Sequence, residues 1–238
     1  MEMLQWMRIR GGRNCAFALF PLALVALALT AVSCGDGDSD SKPAHATVRR
    51  YEGATDPEEI SRLVREGFLP IISGIEGFDT YYLTDAEGGV IVSTSVFRDQ
   101  AGAEESNAAA ADFVRENLAP LLPNAPQITV GDVVVRKENP PTPSMYSVVR
   151  RYEGVIDSAE VARRARDGFL PIISEIDGFV AYYLIDAGGG VIVALSVFRD
   201  QAGADQSTAD AADFVRENLA PLLPNPPQVT AGSVTAHG

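Results

Sequence analysis

The chain repeats itself. Each residue from Val48 onward aligns, without a gap, with the residue 101 positions later. Between Tyr51–Lys137 and Tyr152–Gly238, 58 of 87 positions are identical. The blocks Ser95–Ala103 and Asp112–Asn124 recur unchanged as Ser196–Ala204 and Asp213–Asn225. A period near 100 far exceeds the 20–50 residues of solenoid units, so each copy is expected to be a small domain. The copies occupy 47–137 and 147–238. Between them ENPPTPSMY, residues 138–146, carries three prolines and reads as a short, stiff connector.

The first 46 residues have a different character. Residues 1–13 hold Arg8, Arg10 and Arg13; an uncharged stretch from Ala16 to Val32 follows, rich in Leu and Ala. A basic start, an apolar run and small residues before a cut describe a secretory leader, residues 1–33. The ending Ala31-Val32-Ser33-Cys34 resembles a bacterial lipoprotein signal, with Ala31 where leucine is usual. That resemblance implies lipidation at Cys34, a membrane anchor and an extracytoplasmic address. A plain signal peptide and an uncleaved anchor are the alternatives. Residues 34–46, with GDGDSDSKPAHA after the cysteine, read as a flexible tether. Asp36, Asp38 and Asp40 imitate the opening of a calcium loop. However, Ser41 and Thr47 stand where such a loop needs Gly and Glu.

Charge and rare residues exclude several functions. The net charge is −13, and removing the leader takes it to about −15. A chain this acidic, with no basic stripe, is not expected to bind nucleic acid. Both cysteines, Cys15 and Cys34, precede the repeats, and the only histidines are His45 and His237. The copies therefore hold no thiolate metal site, disulfide or Ser-His-Asp set. No cofactor and no metal are expected.

Each copy reads β-α-β-β-α-β. Val48–Gly53 is strand-like. Asp56 stands three residues before Glu59, and Asp157 before Glu160, in the manner of a capping box. Ile60, Leu63, Val64, Phe68 and Ile71 follow helical spacing, and Pro70 predicts a kink or early end. GFDTYYLTD and VIVSTSVF flank Glu87-Gly88-Gly89 as a hairpin. Asp99 is a candidate N-cap for a helix that Pro123 stops, and 127–136 is the last strand. This is the order of ferredoxin-like folds, an α+β class, with both helices on one sheet face. Neither face of the third strand is cleanly polar: Val90, Val92, Thr94 and Val96 alternate with Ile91, Ser93, Ser95 and Phe97. A sheet with a wet face alternates more sharply. The second face is therefore expected to be covered by the sheet of the other copy, making an intrachain pseudo-dimer from one monomeric chain.

VRRYEG, GFLPIIS, GFDTYYLTD, SVFRDQAGA and DFVRENLAPLLP resemble the antibiotic-biosynthesis-monooxygenase-like family of dimeric α/β barrels. The resemblance covers both copies. It implies a barrel of two ferredoxin-like βαββαβ units, and a family that includes cofactor-independent oxygenases, haem-degrading enzymes and members without known activity. The haem branch uses a helix histidine and a tryptophan, and the copies have neither. An oxygenase pocket needs a group that deprotonates its substrate and walls that exclude water. The candidate polar groups are Tyr81, Tyr82, Ser95, Arg98 and Asn117, with Tyr182, Tyr183, Ser196, Arg199 and Asn218 as counterparts. Adjacent strand residues face opposite ways, so one tyrosine of each pair should face the helices and one the barrel. Packing of an aromatic body with its hydroxyl at the rim is the plainer reading. Arg49-Arg50 and Arg150-Arg151 are expected to form surface ion pairs, with anion binding by one of each pair as the alternative. Glu104, Glu105, Asp112 and Glu116 read as a solvated helix face. Three functions remain: a tethered barrel that binds a small apolar or aromatic ligand, or has no activity; a cofactor-independent monooxygenase; and an assembly module recruiting another chain through exposed sheet edges.

Overall fold

The computed structural model describes residues 43–238. The leader, Cys34 and most of the tether lie outside the described residues. In the first half, β1 (His45–Glu52) takes in the last two residues assigned to the tether. It leads to α1 (Pro57–Leu63), a π turn (Val64–Phe68) and α2 (Leu69–Ser73). Then follow β2 (Phe78–Ala86), β3 (Val90–Phe97), α3 (Gln100–Phe113), a second π turn (Val114–Leu118) and β4 (Gln127–Glu138). The second half repeats this as β5 (Tyr146–Glu153), α4 (Ser158–Arg164), a π turn (Ala165–Phe169), α5 (Leu170–Ser174), β6 (Phe179–Gly188), β7 (Val191–Phe198), α6 (Gln201–Phe214), a π turn (Val215–Leu219) and β8 (Gln228–His237).

Local chemistry accounts for these boundaries. The Asp56 carboxylate accepts from the Glu59 N–H at 3.1 Å, and Asp99 accepts from the Gly102 N–H at 3.1 Å, so both cap as the sequence suggests. The other half of the capping box is missing, because the Glu59 carboxylate binds Arg62 instead. Pro70 does not end its helix. The Leu69 N–H reaches back five residues to the Val64 carbonyl, and this π step carries the chain past the missing proline donor. The second helix ends at Leu118, short of the expected Pro123. Pro120 stands two residues on and has no N–H to continue it.

All eight strands close into one antiparallel barrel, in the order β1-β3-β2-β8-β5-β7-β6-β4. Each half contributes four neighbouring strands, and β2–β8 and β4–β6 join the halves by hydrogen bonds. The sheet of each half covers the other, as expected, and the two halves form opposite walls of one closed barrel. No described strand is left with a free edge, so the expectation of open edges that recruit another chain is overturned.

The last strand of each half makes this closure. The first part of β4 pairs with β1 and its last part with β6 of the other half. A bulge at Val134 shifts the alternation, so Val133 points into the barrel while Val135 packs under the helices of the second half. β8 mirrors it: beyond a bulge at Thr235, Ala236 joins the core under the first half's helices. At the crossing points sit Gly131 and Gly232. A Cβ there would lie 2.1 and 2.0 Å from the carbonyl oxygens of Asp186 and Asp85.

Three apolar layers result. One lies between helices and sheet in each half, and the third fills the barrel. Val92, Val96, Val193, Leu195 and Val197 face the barrel interior, and Ile91, Phe97, Ile192 and Phe198 face the helices. Both faces of the third strand are dry, which is why neither reads as polar. No helix of the described residues is long and apolar enough to cross a membrane.

Candidate functional site

The alternation of β2 and β6 splits each tyrosine pair. Tyr82 and Tyr183 enter the barrel, where their ring centroids stand 6.3 Å apart. Tyr81 and Tyr182 enter the helix–sheet layers, edge-on to Phe68 and Phe169 at 5.7 Å. The Tyr183 hydroxyl is buried and has no hydrogen-bond partner among the described residues; burial, with Tyr82 and Glu138 nearby, pushes its pKa far up. The rest of the barrel is filled by aliphatic side chains with the buried hydroxyls of Thr84, Thr94 and Ser147, and the cavity at its mouth measures only about 10 Å³.

Four of the other candidates lie at the surface. Arg98 and Arg199 are exposed, and Arg199 pairs with Asp177 at 2.9 Å. Asn117 and Asn218 are exposed on the π turns, each donating at 3.1 Å to a carbonyl one turn back, those of Phe113 and Phe214. A strand end and an outward helix position put all four in water. Ser95 and Ser196 are buried and face the helices, but each serves an arginine.

Those arginines are Arg49 and Arg150, which the sequence reading placed at the surface. Strand alternation turns Arg50 and Arg151 to the barrel side, where they sit at the barrel mouth, pair with Glu52 and Glu153 and donate to Thr230 and Thr129. Arg49 and Arg150 turn under the helices and are only 1% and 3% exposed. Among the described residues no carboxylate pairs with either one. Arg49 donates to Ser95 at 3.0 Å, to Ser106 at 2.9 Å and twice to the Asn107 carbonyl oxygen, at 2.7 and 3.1 Å. Arg150 donates to Ser196 and Ser207 at 3.3 Å and to Thr208 at 2.9 Å. Hydrogen bonds to a charged group contribute about 1.5–3 kcal/mol each, which offsets much of the cost of drying the guanidinium. Burial pulls both pKa values down, and the tyrosine oxygens beside them pull back up. The signal was present in sequence: an arginine in a strand with Ser106-Asn107 or Ser207-Thr208 on the facing helix. Nothing local says that helix and strand meet.

Beside each arginine lies a small apolar cavity. In the second half it measures about 30 Å³ and is lined by Arg150, Tyr152, Tyr182, Phe169, Ala165 and Ala194, among other apolar groups. In the first half it measures about 20 Å³, with Tyr51, Tyr81, Val64 and Ser93 in the corresponding places. All four π turns contribute walls. π turns occur often at functional sites, because they widen a helix and leave carbonyls loosely held. Burial raises the pKa values of Tyr51, Tyr81, Tyr152 and Tyr182, so each stays protonated at neutral pH and can offer a hydrogen bond. Neither described histidine lines these cavities, and no cluster of metal-ligating side chains occurs among the described residues. In the second half the polar equipment is a fixed cation and two neutral phenols in an apolar chamber. This suits a ring that carries one anionic oxygen group.

The sequence matches no protein-family model and no curated protein. The fold does have relatives among solved structures. A proposed monooxygenase of Fusobacterium nucleatum subsp. nucleatum superposes with a TM-score of 0.65 at 12% identity, over 82% of this chain and 94% of that one. A proposed monooxygenase of Lactobacillus acidophilus NCFM gives 0.64 at 12% identity, over 83% and 96%. An anthrone oxidase-like protein gives 0.55 at 12% identity, over 83% and 93%. At this identity the likeness is one of fold: an α+β chain wound into a closed antiparallel barrel with helices outside.

Proposed function

We propose that this chain is an exported barrel of two ferredoxin-like units, paired within one chain, that binds a small aromatic or apolar ligand and performs no catalysis. The observation that carries this reading is the buried Arg150 with Tyr152 and Tyr182 at an otherwise apolar cavity. A buried cation without a carboxylate favours an anionic partner, and an apolar wall favours a ring beside it. At about 30 Å³ the chamber holds roughly two water-sized spheres. A ring therefore enters by displacing side chains of the π turns, of which Phe169 and Val215 line the chamber. Salicylate is a suitable probe. Calorimetry should give saturable, sub-millimolar binding, at least tenfold weaker for neutral benzyl alcohol, with no oxygen uptake. Absence of saturable binding would sink the reading.

The fold relatives named as monooxygenases support a second reading, a cofactor-independent oxygenase of the same cavity. Such chemistry needs a base, and the cavity tyrosines hold their protons at neutral pH. Oxygen consumption with phenolic substrates would favour this second reading.

The leader and Cys34 support attachment to an extracytoplasmic membrane face by a lipid. Cys34→Ala should abolish lipid labelling and release the protein into the soluble fraction. Retention at the membrane with unchanged mass would contradict the anchor.

A further inference from the structure

The two halves are not equal at their cavities, and we infer that the chain holds one ligand site rather than two. Resting on the ligand-binding reading above, the geometry assigns that site to the second half, with Arg150 and Tyr182 as its polar contacts. The first half is a closed, self-satisfied copy.

Four substitutions between the copies carry this. Ile60 and Val64 of the first cavity are Val161 and Ala165 in the second, so the second loses three carbon atoms of wall. Ser93, whose hydroxyl stands beside that of Tyr81, is Ala194 in the second. Among the described residues the Tyr182 hydroxyl accordingly finds no side-chain partner. Asn107, whose carbonyl oxygen takes both Nε and Nη2 of Arg49, is Thr208, which takes only Nη2 of Arg150. Arg49 thus makes four bonds of 2.7–3.1 Å, whereas Arg150 makes three, two of them at 3.3 Å, and its Nε–H is left over. Arg150 lines its cavity; Arg49 is not among the walls of the other. Each change acts in the same direction. Space opens, one guanidinium donor is freed, and one phenol is freed. Arg150 and Tyr182 both line the cavity, so a ligand oxygen entering it can accept from these two donors. The chemistry that satisfies both donors is an aromatic ring bearing a carboxylate or phenolate oxygen.

The fold itself supplies safe variants, because each half already accommodates the other's residues. Salicylate calorimetry of the full chain should give one molecule bound per chain. Val161→Ile with Ala165→Val should weaken binding at least tenfold while circular dichroism and the melting temperature show a folded protein. Opening the first half with Ile60→Val, Val64→Ala, Ser93→Ala and Asn107→Thr should raise the stoichiometry towards two. Two equal sites in the unaltered chain, or unchanged affinity after filling the second cavity, would overturn the single-site inference and leave the ligand-binding reading standing. A stoichiometry that stays at one after opening the first cavity would overturn it too. No salicylate binding by the unaltered chain would remove both.

Discussion

Single residues decide this fold where backbone meets backbone. Gly131 and Gly232 lie where β4 and β8 leave one half for the other, and a methyl group there would sit about 2 Å from a carbonyl oxygen. Backbone cannot yield as a flexible side chain does. Gly131→Ala should therefore destabilise by about 3 kcal/mol or more, in the range of severe core damage, read as a lower urea midpoint. Gly88→Ala is the control. Its φ of +77° disfavours a side chain, but open space surrounds it, so the cost should be about 1 kcal/mol. Equal losses in the two variants would refute the close-approach account. Arginine makes the same point about context. Arg49 and Arg50 are neighbours of one type, yet one is buried among hydroxyls and the other meets Glu52 at the surface. Strand alternation sends one under the helices and the other to the barrel mouth, and nothing local says which is which.

Elements were more legible than sites. Period-two alternation and the glycine turns found the hairpins, and the aspartates found the helix starts. Local chemistry decides these, and it acts within three or four residues. Asp99→Ala removes the carboxylate that accepts from the Gly102 N–H and should cost about 1 kcal/mol. Asp200→Ala should cost a similar amount in the second half. A thermal shift much smaller than that of an exposed helix-cap loss would contradict the capping role. The π turns were not legible. A helix reads the same by apolar spacing whether one turn is widened or not, and Pro70 suggested an end where the chain makes a π step. The bulges at Val134 and Thr235 were equally hidden, since an inserted residue shows only against the strand it pairs with.

At the scale of the whole chain, each half completes the other. Ala236 of β8 belongs to the core under the first half's helices, and Val135 of β4 to that under the second half's. Arg65 donates to the Thr235 carbonyl and Arg166 to the Val134 carbonyl, fastening each exchanged strand end. A chain of residues 43–138 alone would leave β2 and β4 without their partners. Such open edges invite pairing, so it should assemble into a dimer that rebuilds the barrel. Light scattering that shows a stable, folded monomer would refute this mutual completion.

The sequence by itself determined the repeat, the order of elements, the helix caps and the dryness of both sheet faces. Each follows from patterns within a short stretch, or from comparing the chain with itself. Tertiary structure decided which strands join the two halves of the barrel, which arginine of each pair is buried, which tyrosine meets it, and that the two cavities differ. These depend on contacts between residues far apart, such as Arg49 with Ser106 or Arg50 with Thr230. The physical reason is that burial and hydrogen bonding of a polar side chain are fixed by whatever element packs over it, and local sequence carries no record of that neighbour.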